Sequence, residues 1–394
     1  MSNLTNEQKA TYALLADNVY WDVRYGYDEK TGDFTNSNWT PVPEGWTVLG
    51  QYDRSGSKES ERNTELDGFS ARVFQNTATN EIVIGYAGTQ PNDLKDWKNN
   101  SLIASGLSSN QANEAAILYQ QVKIDNPGLD ITFTGHSLGG GLSTLMGVWF
   151  NRPAVGFDTA PFKKAATNVV DVDDPSPNNF LESMWDSIPA SIRVLLADKP
   201  FSALAGSTVK GAQQALLDKF GAIDEAFLSY SPKDNLEERI QNIQSVKVKG
   251  EFLDNLPEFA YIPSTDEYVI DGKSSLGAID KHSQTLLSAA LLSKNLAEYA
   301  SSDEDNNANV DTLKLMFDKD LYGYDVAKEK QNFLTKLVRN EVGGQDFLTG
   351  ESTGNALAEA NGMLTHFGND LKTIANTLKP VTRPSHILCN CRLD

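Results

Sequence analysis

Three observations predict an α/β layered fold. Strand-like and helix-like runs alternate between residues 68 and 162. One strand leads through a glycine-rich corner straight into an apolar helical pattern. The chain, at 394 residues, is long enough to bury a large core around a sheet. With 40% apolar and 22% charged residues, its balance is that of an ordinary globular protein.

The opening stretch, MSNLTNEQKATYALLADNVYW, is polar and then amphipathic, and Thr5 with Gln8 has the spacing of a capping box that starts a helix. The runs GFSARVFQN (68–76) and EIVIGYAGT (81–89) read as strands; the TATN between them predicts a hairpin. Helical spacing over 109–127 stops at Pro127. LDITFTG (129–135) is the next strand, GGLSTLMGVWF (140–150) the helix after it, and AVGFDTAPF (154–162) a short buried strand running into a loop.

Residues 163–243 interrupt this rhythm. The linker-like DVDDPSPNN (171–179) precedes an apolar stripe from Leu181 to Leu196 with a kink expected at Pro189, and a second amphipathic run covers 212–228. Both runs suit either helices packed on the core or a cap over the site. Strand character returns at 244–252, a small hairpin is expected around EYVIDGK (267–273), and 283–300 is a strong helix. The acidic, polar SSDEDNNAN (301–309) marks a boundary, and the pattern beyond it is helical.

Charge and cysteine content exclude several classes. A formal charge of −19 repels nucleic-acid phosphates. Cys389 and Cys391 lie in the last six residues, cannot staple the core, and with His386 lack the spaced pairs of a structural zinc site. No stretch of about 18 apolar residues is present to span a membrane. The N-terminus has neither the basic start nor the apolar stretch of a cleavable leader, so export without one, or a cytoplasmic location, is expected.

The sharp corner carries the chemistry. Gly135-His136-Ser137-Leu138-Gly139 fits G-x-S-x-G, a weak pattern alone but set here between a strand and a helix, as the motif requires. Such a turn lifts a serine oxygen above the carboxyl edge of a sheet, where ligands of α/β folds bind. The bland alternative is a tight turn without chemistry. A serine nucleophile needs a base. Of the four histidines, His136 is the motif's variable residue, His366 sits on a helical pattern and His386 near the chain end; His282, in a loop before the helix 283–300, suits the role.

The base needs an acid to orient it, expected between Ser137 and His282 at a strand end. Asp254 follows the strand 244–252 directly; Asp158 is the main rival, and Asp266, Asp271 and Asp280 are in range. For the oxyanion, the N–H of Leu138 supplies one donor and the Gly-Thr turn of YAGTQPND suggests Thr89 for the second, each donor being worth about 3 kcal/mol in such sites.

Together these residues resemble the class 3 lipase family of α/β hydrolases. The resemblance rests on YAGT, on Asp96-Trp97 in KDWKNN, on TGHSLGG at 134–140, on GFDTAPF, on Asp254 with Leu256 and Pro257, and on His282-Ser283, over roughly 68–295. It departs at Ala87, where the family usually has Arg, and in the long insertion 163–243. It implies the triad Ser137, Asp254 and His282, with Thr89 and Leu138 at the oxyanion. It also implies a mostly parallel central sheet, and with the boundary at 301–309 the chain reads as a lipase domain at 1–300, with 163–243 as helical insertion or cap, and a helical C-terminal region at 301–394. A lid would fall at 90–108, where Leu94, Trp97, Leu102 and Ile103 could cover the site; a fixed loop is the alternative.

The arrangement is most similar to the enterobacterial phospholipase A1 enzymes, which implies a phospholipid substrate, export without a cleaved leader, and a small accessory protein as partner. Cleavage of triglycerides or soluble esters is the alternative within the fold; a non-catalytic binding protein is the alternative outside it. The chemistry requires no metal or cofactor, although Ca²⁺ could bridge the acidic surface to anionic head groups.

Overall fold

The computed structural model describes residues 4–20, 27–28, 33–34, 42–55, 69–88, 109–167, 209–251, 253–255, 265–271, 278–292, 297–298 and 300–301. The expectations for the lid at 90–108, the stripe 181–196, the C-terminal region and the cysteines fall outside these residues, apart from Ser301.

A two-residue pair, β1 (Tyr27–Asp28) with β2 (Asp33–Phe34), forms a separate ribbon. The main sheet has eight strands among the described residues. Five run parallel in the order β10 (Thr265–Ile270), β9 (Ile243–Val248), β8 (Ala154–Phe157), β7 (Ile131–His136), β6 (Ile82–Tyr86). Then β5 (Ser70–Asn76) returns antiparallel beside β6, and β3 (Trp46–Val48) and β4 (Arg54–Ser55) pair with β5.

The predicted hairpin is β5–β6. Its turn is held by Asn76, whose Oδ1 accepts from the N–H groups of Ala78 and Thr79 at 2.9 and 3.0 Å, with Asn80 at φ 62° closing the turn. The hairpin expected at 267–273 is instead the single edge strand β10. Its backbone pairs with β9 in parallel from Thr265↔Gln244 to Ile270↔Val248, with a register shift between Tyr268 and Ile270.

Helices cover both faces. On one lie α1 (Asn6–Asn18) and α9 (Gln284–Leu292); on the other lie α2 (Ser109–Asp125), α3 (Leu138–Phe150) and α5 (Val209–Phe220). The strands divide between two cores by their period of two. Val83, Val155, Phe157, Val246 and Val248 join α1 and α9, whereas Ile82, Ile84, Phe133 and Ile243 join the opposite helices. The Thr5–Gln8 capping box forms as read: Thr5 N–H donates to Gln8 Oε1 at 2.9 Å and Gln8 N–H to Thr5 Oγ1 at 3.2 Å. Threonines of β7 meet α1, Thr134 Oγ1 donating to the Tyr12 carbonyl at 3.2 Å.

The described parts of the insertion pack on this core. They comprise α4 (Lys163–Thr167), α5, α6 (Glu225–Leu228) and α7 (Leu236–Arg239). Ala212 and Leu216 of α5 share the core with α2 and α3. Arg239 ties the insertion to the end of α3. Its Nη1 donates to the carbonyls of Val148 and Trp149 at 3.1 and 2.7 Å, and its Nη2 to that of Ala226 at 2.7 Å. A buried cation thus satisfies carbonyls that a helix end leaves without intrahelical partners.

Candidate active site

Four adjacent parallel strands deliver the site at their carboxyl ends. Gly88 follows β6, Ser137 follows β7, Asp158 follows β8, and Glu251 lies three residues beyond β9. His282 comes from the opposite direction, between α8 (Ala278–Lys281) and α9.

The elbow's shape follows from its glycines. A Cβ at Gly139 would overlap the Tyr86 carbonyl of β6, and one at Gly135 would overlap the Gly139 carbonyl, so strand and helix can approach only without side chains there. Ser137 sits at φ 59°, ψ −125°, a region an L-residue rarely adopts. Its own peptide bonds hold it there. Its N–H donates to the Phe157 carbonyl at 2.9 Å, and its carbonyl accepts from Ala160 N–H at 2.9 Å and Gly141 N–H at 3.0 Å. Strain of this kind persists only where surrounding contacts over-determine it.

Ser137 Oγ lies 2.9 Å from His282 Nε2, and His282 Nδ1 lies 2.6 Å from Glu251 Oε2. All three residues are buried, Glu251 to 1% exposure. A carboxylate at Nδ1 selects the tautomer with the proton there, which leaves Nε2 free to accept the serine proton. Glu251 is itself fixed, since its Oε2 also accepts from Leu253 N–H at 2.7 Å.

The acid position is a correction to the sequence reading. Asp254 does not face His282; its Oδ2 accepts from Gly250 N–H at 2.9 Å and its Oδ1 from the Tyr268 hydroxyl at 3.1 Å. The cause is the turn after β9. Gly250 takes φ +75°, which folds the chain back and aims Glu251 inward, while Asp254 falls in the short 3-10 turn Leu253–Asn255. The signal that could have found Glu251 is its place just after a glycine at a strand end.

Leu138 is the first residue of α3, so its N–H belongs to a helical turn whose donors lack intrahelical partners, as an oxyanion site requires. Thr89, Leu94, Trp97, Leu102 and Ile103 lie outside the described residues. Gly88, just before Thr89, packs directly on the elbow, because a Cβ there would stand 2.8 Å from the His136 carbonyl and 3.0 Å from Ser137 Cβ. Its N–H donates to the hydroxyl of Tyr20 at 2.7 Å. Sequence reasoning missed Tyr20, whose fully buried side chain reaches this turn from the end of α1.

His136 packs beside His282, the two ring centroids 4.7 Å apart. Its Nε2 lies 3.8 Å from Asp158 Oδ2. Asp158, the rival acid, is fully buried at φ +41°, and its Oδ1 accepts from Val248 N–H at 2.9 Å. Burial pushes its carboxyl well above the ordinary value. The charges of Glu251 and Asp254 push the same way, against the Val248 N–H and the Lys247 charge. Among the described residues, His136, Asp158 and His282 form a group with metal-like proximity, their donor atoms within 4.8 Å of one another. Because Ser137 and Glu251 already engage both nitrogens of His282, a metal there would have to break the Ser137–His282–Glu251 chain.

Fold and site together give a layered α/β sheet with a serine, a histidine and a carboxylate hydrogen-bonded in sequence at its carboxyl edge. Residues 11–175 match the model of the Tle-like phospholipase domain, a phospholipase-like family. This match includes the end of α1 from Thr11, Tyr20 and the elbow. The extracellular phospholipase A1 of Serratia liquefaciens is 32% identical over 116 residues, covering 29% of this chain and 35% of that protein. The putative lipase ATG15 of Passalora fulva is 25% identical over 200 residues, 40% of this chain and 27% of that one. The chain thus spans about a third or less of the length of these curated relatives. Among solved structures, Lip2 lipase from Yarrowia lipolytica aligns over 68% of this chain and 79% of its own at 13% identity, with a TM-score of 0.34.

Proposed function

We propose that this protein is a serine hydrolase of lipid esters, most specifically a phospholipase A1. The observation that carries the reading is the continuous chain from Ser137 Oγ through His282 to Glu251 at the carboxyl edge of the sheet. The match to a phospholipase domain and the likeness to a phospholipase A1 support a lipid substrate.

In this mechanism His282 Nε2 takes the Ser137 proton as the oxygen attacks the acyl carbonyl carbon. The imidazolium that forms is held by Glu251. Negative charge on the former carbonyl oxygen meets the Leu138 N–H and a second donor that we assign to Thr89. Collapse expels the lysophospholipid alkoxide, which takes the proton from His282. Water, deprotonated by the same imidazole, then attacks the acyl-enzyme and releases the fatty acid, returning the proton to Ser137. The steps need no metal. The extracellular relative supports secretion.

The test is product analysis on a phospholipid with distinguishable acyl chains. Release of the outer chain, abolished in Ser137→Ala, is expected; release of the inner chain alone rejects the A1 assignment. Strong preference for a short soluble ester over micellar phospholipid would favour a general esterase. Loss of activity with a chelator would add a Ca²⁺ bridge to head groups, and unchanged activity removes it.

A further inference from the structure

Asp158 is a buried carboxylic acid for which the reaction above has no use. It ends β8, directly beside β9, whose following turn carries Glu251. Its orientation is fixed at two points: its N–H donates to the Val246 carbonyl at 3.0 Å, and its Oδ1 accepts from Val248 N–H. The other oxygen, Oδ2, is buried with no hydrogen-bond partner among the described residues and faces His136 at 3.8 Å. A carboxylate oxygen of Asp158 and a ring nitrogen of His282 lie within 4.8 Å of each other. Two carboxyl groups therefore flank one imidazole, from the ends of neighbouring strands.

We propose that Asp158 is a second acid of the site, a positioning residue that takes over the orientation of His282 when the charge of Glu251 is absent. The proposal rests on reading Ser137 and His282 as nucleophile and base. The ionisable groups around Asp158 are His136, His282, Glu251, Asp254 and Lys247. Burial first, and then the negative charge of Glu251, raise the Asp158 carboxyl. With Glu251 charged and in contact with Nδ1, Asp158 keeps its proton. Once the Glu251 charge is removed, the largest opposing charge disappears and Asp158 can ionise beside the imidazolium. The gap beyond hydrogen-bond length is about 2 Å, which one water or a small ring rotation spans.

The experiment is a double-mutant cycle on the full chain. It measures kcat/KM on micellar phospholipid as a function of pH for wild type, Asp158→Asn, Glu251→Gln and the double variant. Asn keeps the acceptor for Val248 N–H, so the fold contact survives. In the wild-type background Asp158→Asn is expected to cost about threefold, and in the Glu251→Gln background at least about tenfold, a coupling normal for contacting groups. Glu251→Gln alone should gain more activity with rising pH than the double variant, the excess coming from ionisation of Asp158. Equal factors in both backgrounds, or a rise of the same size with and without Asp158, would overturn the proposal. Glu251→Ala, which leaves room for a bridging water, serves as the second background if the Gln variant does not fold. Ser137→Ala separates the two levels: a wild type without Ser137-dependent hydrolysis fails the enzyme reading itself, whatever the cycle gives.

Discussion

Neutralising Glu251 tests the assignment of the acid against the neighbouring Asp254. In the transition state His282 is an imidazolium whose Nδ1 stands 2.6 Å from Glu251 Oε2. Two unit charges with centres about 4 Å apart attract by about 4 kcal/mol at an effective dielectric near 20. That is about three decades of rate at about 1.4 kcal/mol each. The partial return of negative charge on Asp158 trims the loss, so Glu251→Gln should lower kcat by about 10²- to 10³-fold, below the about 10⁴ seen where an orienting acid has no substitute. KM should change little, since Glu251 is buried beneath the imidazole, away from any acyl chain. Asp254→Asn keeps an acceptor for Gly250 N–H and a polar partner for the Tyr268 hydroxyl, so it should cost less than about threefold. The assay is titration of released fatty acid from mixed micelles, with thermal melts to show that each variant is folded. A large loss from Asp254→Asn beside a small loss from Glu251→Gln would refute the reasoning.

Tyr20→Phe removes the acceptor of the part-buried Gly88 N–H beside Ser137 and should destabilise the protein by about 1 kcal/mol, read from denaturant midpoints. Asp158 should make stability fall with rising pH. Its folded-state pKa is raised above the ordinary 3.8, so its contribution is complete below that value and is lost as pH rises toward the raised one. Across that window Asp158→Asn should gain on the wild type by up to about 1.4 kcal/mol per pH unit, measured by urea unfolding at a series of pH values. A difference that does not depend on pH would count against a protonated Asp158.

Where sequence and structure agree, the determinants are local. The β5–β6 hairpin follows from alternation on either side of a turn whose Asn76 caps its own loop. The elbow at Ser137 follows from glycines at fixed offsets, because a strand that turns at once into a helix brings their backbones within overlap distance of any Cβ. The placement of His282 before a helix was also legible, and the structure brings it to Ser137. The edge strand β10 was not, since 267–273 looks alike as half of a hairpin or as a parallel strand, and only its pairing with β9 decides.

The acid shows the same limit most sharply. Glu251 and Asp254 are three residues apart, both near a strand end and both carboxylates, and the sequence favours Asp254 because it follows the expected strand 244–252 directly. The choice is made by the left-handed Gly250, which reverses the chain, and by Leu253 N–H and Gly250 N–H, which pin the two side chains in opposite directions. Tyr20 reaches Gly88 across 68 residues for the same reason. The sequence by itself determined which residue types stand at the strand ends and where the backbone must turn, because those depend on neighbours along the chain. Which carboxylate meets the imidazole, and which hydroxyl holds the turn beside the serine, were decided only when four strand ends and two distant helices came together, since hydrogen bonds between segments depend on a geometry that no local pattern encodes.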